Sequence, residues 1–348
     1  MNPMSSSFER LVADATRLTR AGKLHDATAA IRAALGGTAV AAACGEPEII
    51  DVEAREVGTE WPSSVQRVPP AGQFIGGNHT DAAGTREYKL YVPPGWRGQA
   101  LPLVVMLHGC TQNPDDFAAG TGMNDAALER DFFALYPAQA QNANPSRCWN
   151  WFKHNHQRRG RGEPALLAGM TRALTERYGI DLQRVYVAGL SAGGAMAAIL
   201  GDAYPDLFAA VGVHSGLPTG SATDARSAFA AMKSGAAVAA PTGRTPPTIV
   251  FHGERDTTVH PVNGERVVAA SVGAASPELE RGSSGREYTR RIYRDADGRV
   301  VAEHWFVHGA GHAWSGGSAR GSYTDTKGPD ATGEMLRFFF SNSLQPVR

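Results

Sequence analysis

A serine between two glycines is the feature of this sequence whose residue types and spacing best fit covalent chemistry. Ser191 lies in the pentapeptide Gly189-Leu190-Ser191-Ala192-Gly193, which follows an apolar run and precedes a segment of small residues. In this context the serine lies on a sharp turn from strand to helix, and its hydroxyl is exposed near a helix N-terminus that favours negative charge. The turn leaves room only for glycine at positions 189 and 193. Chance alone could produce such a pentapeptide among 40 glycines, but its flanking elements predict that Ser191 is a nucleophile.

A serine hydroxyl is a weak nucleophile at neutral pH and needs a general base. In enzymes built around this turn, the partners follow the serine in the order Asp or Glu, then His. His312 lies in a glycine-rich loop, residues 309–317, after the last predicted strand, and we predict that it is the base. The competing histidines are His214, His252, His260, His304 and His308. His214 and His252 fit core or turn positions, and His304 and His308 belong to the predicted hairpin strand.

Asp256 is the predicted acid of the same constellation. It follows a predicted buried strand, so it is expected at the same carboxyl edge of a parallel sheet as Ser191. Its carboxylate would accept a hydrogen bond from the histidine ring and stabilise the imidazolium ion. Glu254 is the nearest rival, while Asp295 and Asp297 are better explained as turn residues.

The negative charge that develops on an attacked carbonyl oxygen requires backbone N–H donors. One is normally the amide after the nucleophile, here Ala192, and the other comes from a loop after an earlier strand. That loop is expected within Leu107 to Gln112, and Cys110 is the predicted second donor.

Alternating strand and helix signals are expected to position these residues. Apolar runs predict strands at 87–92, 103–107, 132–136, 185–188 and 248–251, and a turn at 295–298 predicts a hairpin between 286–293 and 300–307. Helices are predicted at 164–178, 192–204 and 330–344. We therefore predict an α/β fold with a mostly parallel central sheet and helices on both faces.

The first 70 residues of the chain differ in composition from the rest. Apolar spacing predicts a helical hairpin within residues 1–36, followed by a linker at 37–70 that is rich in Ala, Gly, Pro and acidic residues. The catalytic domain is predicted at 71–348. The hairpin is more readily explained as packing or association than as part of the chemistry.

Composition restricts the partners. The chain has 34 basic and 34 acidic side chains, so nothing in its charge favours nucleic acid or an anionic membrane. No apolar stretch approaches the ~20 residues that cross a bilayer, and Met1 to Arg20 shows no apolar segment typical of a signal peptide. The three cysteines, Cys44, Cys110 and Cys148, lack paired metal-ligand spacing. The predicted chemistry requires neither metal nor organic cofactor.

Five segments together resemble the polyhydroxybutyrate depolymerase family of esterases, within the α/β-hydrolase superfamily. They are LHGCTQ from Leu107, CWNWF from Cys148, GLSAGG from Gly189, HGERDTTV from His252 and GAGHAWSGG from Gly309. The resemblance implies a serine esterase of short-chain hydroxyalkanoate esters or oligomers that acts through an acyl-enzyme. It also implies a Cys110–Cys148 disulfide and an extracellular or periplasmic location, although the N-terminus shows no export signal.

Several alternatives remain open at this point. The substrate could instead carry feruloyl or acetyl groups on plant polysaccharide, and the same three residues could serve a peptidase or an acyltransferase. A non-catalytic binding protein on the same fold is a further alternative. Polymer-degrading members carry a polymer-binding domain after the catalytic one, whereas this sequence stops at Arg348, so attack on solid polymer is not expected. Trp149 and Trp314 adjoin motif loops and could line the substrate pocket or be ordinary packing.

Overall fold

The computed structural model describes residues 72–235, 245–272 and 276–344. The predicted hairpin at 1–36 and linker at 37–70 lie outside the described residues. Of the catalytic domain predicted at 71–348, the first described residue is Gly72.

The core of the described chain is a ten-stranded sheet with the order β1-β2-β4-β3-β5-β6-β7-β10-β9-β8. Its strands are β1 (Gln73–Asp81), β2 (Gly84–Val92), β3 (Leu103–Leu107), β4 (Phe133–Pro137), β5 (Val185–Leu190), β6 (Ala210–His214), β7 (Thr248–Gly253), β8 (Glu278–Ser284), β9 (Arg286–Arg294) and β10 (Val300–Val307). The central strands from β4 to β10 are parallel. The outer pairs at both ends are antiparallel. This is the mostly parallel sheet that the sequence predicts.

Helices cover both faces of this sheet. The helices are α1 (Pro114–Thr121), α2 (Met123–Arg130), α3 (Gly162–Tyr178), α4 (Ala192–Ala203), α5 (Ala225–Ser234), α6 (Val262–Val272) and α7 (Ala331–Phe340). Alternate residues of β3 enter two separate cores. Leu103, Val105 and Leu107 face the side covered by α3 to α6, whereas Val104 and Met106 face the side covered by α1, α2 and α7. The prediction of helices on both faces is confirmed.

The antiparallel hairpin is formed by β9 and β10, as predicted. Asp295 begins its turn, and its Oδ1 accepts the backbone N–H groups of Asp297 and Arg299. This explains Asp295 as a turn residue. β10 continues the parallel sheet beside β7, so the loop that carries His312 leaves the sheet at the edge where β7 ends.

A further pair of two-residue strands, β11 (Trp314–Ser315) and β12 (Thr324–Asp325), lies beyond His312. The pairing folds the segment between them into a compact loop beside the carboxyl edge of the sheet. None of the helices within the described residues combines the length and the apolar character that a membrane-spanning helix needs.

Candidate active site

Ser191 occupies a strained turn between β5 and α4. Its backbone angles are φ 58° and ψ −118°, a region that non-glycine residues rarely adopt. A Cβ on Gly193 would lie against the carbonyl oxygens of Leu107 and His108, and one on Gly189 would lie against the Gly193 backbone. The two glycines are therefore required because helix α4 and strand β3 approach each other backbone to backbone.

Asp256 and His312 are brought together at the carboxyl edge of the sheet, where β5 and β7 end. His312 Nδ1 donates to Asp256 Oδ2 at 2.7 Å. The other carboxylate oxygen, Oδ1, accepts the backbone N–H groups of Thr258 at 2.9 Å and Val259 at 2.8 Å. Burial raises the pKa of Asp256, but hydrogen bonds from His252, His312 and Val259 outweigh it and hold the pKa well below its usual range. The buried carboxylate is therefore ionised at neutral pH.

The bond to Asp256 fixes which ring nitrogen of His312 can act as a base. Nδ1 carries the proton that is hydrogen-bonded to Asp256, so Nε2 of the neutral ring has a free lone pair. Among the described residues, no hydrogen bond within 3.5 Å joins this nitrogen to the Ser191 hydroxyl. Such bonds are often long without substrate and tighten in the substrate complex.

The rival acid lies elsewhere. Glu254 Oε2 accepts the Gly309 N–H at 2.9 Å, and its Oε1 lies 3.5 Å from His308 Nδ1 at the surface. It anchors the start of the histidine loop and does not contact His312. The structure thus brings Asp256, and not Glu254, to the predicted base.

The competing histidines have structural roles in the described chain. Burial lowers the pKa of His214 to about 3, and its Nε2 accepts the Ser315 N–H at 2.9 Å. Burial, with help from Arg291, likewise lowers the pKa of His304 to about 3. His252 Nε2 donates to the Val259 carbonyl at 2.8 Å and lies 3.4 Å from Asp256 Oδ2. His214 and His304 are neutral core residues, and His252 supports the Asp256 turn.

Two backbone amides beside Ser191 have no acceptor among the described residues. Ala192 is the first residue of α4, so its N–H has no intrahelical partner. In the loop after β3, the Gly109 amide donates to Gln112 Oε1 and the Thr111 amide donates to the Ser146 carbonyl. Cys110 lies between them, and its amide is not engaged within the described chain. A Cβ on Gly109 would lie 3.7 Å from Ser191 Cβ, which places this loop directly against the serine.

A disulfide joins Cys110 to Cys148, as the resemblance implied. It fastens the loop after β3 to the segment before Trp149, and the Thr111–Ser146 backbone bond of 2.7 Å reinforces the attachment. The position of the Cys110 amide therefore depends on a covalent link to a segment 38 residues away.

Trp149 and Trp314 do not have the accessible surface that pocket-lining residues need. Trp149 is 0% exposed and Trp314 is 1% exposed. Trp149 Nε1 donates to the His108 carbonyl, and Trp314 Nε1 donates to Thr332 Oγ1. The expectation that they contact substrate is not supported, because both rings are buried and their N–H groups hydrogen-bond within the protein.

Residues that the sequence did not single out complete the site. Gln112 is 2% exposed, and its Nε2 donates to Asp116 Oδ2 and to the carbonyl of Ser322. Because Ser322 lies in the segment after His312, these bonds connect the loop after β3 with that segment. Tyr323, in the same segment, contacts Thr111. No group of three or more His, Cys, Asp or Glu side chains within the described residues is arranged to hold a metal ion.

The chain is similar to known esterases. Residues 86–273 match the family model described as Esterase PHB depolymerase. Over 239 residues it is 31% identical to Poly(3-hydroxyalkanoate) depolymerase C of Paucimonas lemoignei, covering 64% of this chain and 57% of that protein. It is 30% identical over 305 residues to Poly(3-hydroxybutyrate) depolymerase of Ralstonia pickettii, covering 81% and 62%. The matched region is thus less than two thirds of either depolymerase.

Other similar proteins have names that indicate different ester substrates. Over 233 residues the chain is 30% identical to Feruloyl esterase B of Thermothelomyces thermophilus, covering 61% of this chain and 78% of that protein. Among solved structures, the acetyl xylan esterase from Aspergillus awamori is similar in fold, with a TM-score of 0.58 and 22% identity over 68% of this chain and 94% of that one.

Proposed function

The chain belongs to the PHB depolymerase family of esterases, and from this premise we propose that it is a serine esterase with Ser191 as nucleophile, His312 as general base and Asp256 as the orienting acid. The observation that carries the proposal is the 2.7 Å bond from His312 Nδ1 to the buried Asp256 carboxylate. It occurs at the sheet edge where Ser191 occupies its strained turn. The order along the chain, serine, aspartate, histidine, agrees with this assignment.

The first half-reaction forms an acyl-enzyme. Ser191 Oγ attacks the ester carbonyl carbon while His312 Nε2 takes the hydroxyl proton, and the carbonyl π pair moves onto oxygen. The Ala192 and Cys110 amides would donate to that oxyanion. Asp256 stabilises the imidazolium through Nδ1–H, and the C–O bond to the leaving alcohol then breaks as His312 returns the proton to it.

The second half-reaction repeats the same steps with water. His312 Nε2 takes a proton from water as its oxygen attacks the acyl carbon, and the same amides stabilise the second oxyanion. Collapse releases the carboxylic acid and returns the proton to Ser191 Oγ. The steps use only side chains and amides of this chain together with water.

For the substrate, we propose short-chain hydroxyalkanoate esters or oligomers. The two depolymerases support this. The alignments with a feruloyl esterase and with acetylxylan esterases support carbohydrate-linked feruloyl or acetyl esters as a second candidate. The proposal concerns soluble esters and oligomers.

The test compares wild type with Ser191→Ala on p-nitrophenyl acetate, butyrate and octanoate. The same two proteins are given 3-hydroxybutyrate oligomers, methyl ferulate and acetylated xylan, with product acids quantified. We expect Ser191→Ala to lose ~10³-fold or more in kcat. Equal rates for the two proteins would contradict the proposed nucleophile, and the preferred acid released by the wild type decides between the two substrate classes.

A further inference from the structure

Tyr323 combines a strained backbone with an exposed aromatic side chain. Its φ is +52°, which a bulky residue rarely adopts, and its side chain is 46% exposed. Strain of this kind persists where the surrounding structure imposes it, and it is concentrated at functional sites.

The residue bridges the two segments that carry the proposed chemistry. The Tyr323 carbonyl accepts the Trp314 N–H at 2.7 Å, two residues after His312. Thr111 Oγ1 donates a hydrogen bond to the Cys110 carbonyl at 2.6 Å. The Tyr323 hydroxyl lies 3.1 Å from Thr111 Oγ1 and is therefore the donor in that bond. Tyr323 thus connects the histidine segment with the oxyanion loop.

Neighbouring polar groups hold Tyr323 in this position. Ser322 donates to both oxygens of Asp116, from its N–H at 2.8 Å and from its hydroxyl at 2.5 Å. Gln112 Nε2 donates to Asp116 Oδ2 and to the Ser322 carbonyl. Partial burial raises the pKa of Asp116, but these hydrogen bonds outweigh it and lower the pKa overall, so the carboxylate stays charged as their acceptor.

The other large exposed apolar side chains among the described residues lie outside the two segments that Tyr323 connects. Leu182 precedes β5 at the opposite edge of the sheet, Phe229 is on α5, Leu279 is on β8 and Phe340 is at the end of α7. With Trp149 and Trp314 buried, Tyr323 is the large exposed apolar side chain, among the described residues, that is bonded to the loops of the site.

We propose that Tyr323 is a specificity-determining residue whose ring contacts the acyl chain of the ester substrate. This inference rests on the proposed esterase function. The hydroxyl is occupied by Thr111, so the ring presents an apolar face with a fixed orientation. Such a face fits an apolar acyl chain better than a hydroxyl-rich one.

The test uses three substitutions and one control. Tyr323→Phe removes only the hydroxyl tie, Tyr323→Ala removes the ring, and Tyr323→Gly removes the ring while accepting the positive φ without strain. Leu182→Ala deletes another exposed large apolar side chain, 63% exposed, which precedes β5 at the edge of the sheet opposite Ser191. For each variant, kcat and KM are measured on p-nitrophenyl acetate, butyrate and octanoate.

We expect Tyr323→Gly and Tyr323→Ala to lower kcat/KM for butyrate and octanoate by about tenfold relative to acetate, mainly through KM. Tyr323→Phe should retain the wild-type preference among the three esters, and Leu182→Ala should match wild type. Equal effects on all three esters, or no effect in the glycine variant, would overturn the proposal.

A binding measurement separates this inference from the esterase proposal. In the Ser191→Ala background, the dissociation constant of p-nitrophenyl butyrate is measured by NMR titration with and without Tyr323→Gly. We expect at least a severalfold weaker affinity without the ring. A wild type that cleaves none of the esters but binds p-nitrophenyl butyrate in a Tyr323-dependent way would refute the esterase function alone, whereas unchanged or undetectable binding in both proteins would refute the role of Tyr323.

Discussion

Asp256 offers His312 one carboxylate oxygen while its other oxygen is fully used by the backbone. Oδ2 accepts His312 Nδ1–H at 2.7 Å, and Oδ1 accepts the N–H groups of Thr258 and Val259. The carboxylate is therefore unable to exchange its two oxygens without losing two hydrogen bonds. The orientation of the proposed base is set by this turn after β7.

This arrangement predicts a large effect of Asp256→Asn. The side-chain carbonyl of asparagine must stay on the backbone amides, so its NH₂ group faces His312 and donates to Nδ1. The histidine then carries its proton on Nε2 and cannot accept one from Ser191. We expect kcat to fall by about four orders of magnitude with an unchanged fold.

Ester hydrolysis and circular dichroism of the purified variant check this expectation. Glu254→Gln is the matched control, because Glu254 is a nearby carboxylate that contacts the same loop without touching His312. Activity of Asp256→Asn within tenfold of wild type would remove Asp256 from the proposed triad.

The close approach of α4 and β3 predicts that Gly193→Ala is destabilising. The added methyl group would meet the carbonyl oxygens of Leu107 and His108, which are backbone atoms of a buried strand end and cannot rotate away. We expect the free energy of unfolding to fall by about 3 kcal/mol or more, together with loss of activity. Chemical denaturation measures the change. A Cβ on Gly76 would meet nothing within 4 Å, so Gly76→Ala is the control, and equal stability of the two variants would contradict the close packing.

The strands that the sequence predicts well are those with continuous apolar runs. β3 has the predicted bounds, and β5 extends the prediction by two residues, because both are buried on both faces and every residue is apolar or glycine. β6 is not among the strands with predicted bounds, because it is only five residues long, contains Gly212 and ends at His214. β1 was missed for another reason: it is an edge strand with polar residues on its exposed side.

In the candidate site, too, local motifs predict some features, whereas contacts between distant parts of the chain are not predicted. Ser191, Asp256 and His312 follow from local motifs, because each motif includes the turn that its residue needs. The burial of Trp149 and Trp314 does not, since an aromatic residue beside a motif has the same sequence signature whether it supports the loop or lines a pocket. The contact of Thr111 with Tyr323 joins residues 212 positions apart, and no local pattern indicates it.

The disulfide predicts linked losses of stability and activity in Cys148→Ser. The bridge closes a loop with a sequence separation of 38, so its removal should lower the free energy of unfolding by about 4 kcal/mol on the chain-entropy account. It should also lower kcat by about tenfold, because the Cys110 amide loses its covalent anchor. Reduction of the wild type by dithiothreitol should reproduce both changes. Cys44→Ser is the control for loss of a thiol, and full activity of Cys148→Ser would show that the oxyanion loop holds without the bridge.

Buried neutral histidines predict how stability depends on pH. Burial lowers the pKa of His304 to about 3, whereas the same side chain in the unfolded chain titrates near pH ~6.5. Between these values the unfolded state binds a proton that the folded state does not, so stability falls as the pH drops below ~6.5. One such group contributes a slope of about 1.4 kcal/mol per pH unit.

His304→Gln tests this contribution, because glutamine does not titrate and its side-chain oxygen can accept the hydrogen bond that Arg291 gives to His304 Nδ1. We expect the free energy of unfolding, measured by urea denaturation between pH 6 and pH 4.5, to depend less steeply on pH in the variant than in wild type, by up to about 1.4 kcal/mol per pH unit. At pH 8 the His304 side chain is neutral in both the folded and the unfolded state, so its contribution to the pH dependence disappears. Parallel slopes for the two proteins across the acidic range would mean that His304 is protonated in the folded state, and its buried, neutral role in β10 would have to be abandoned.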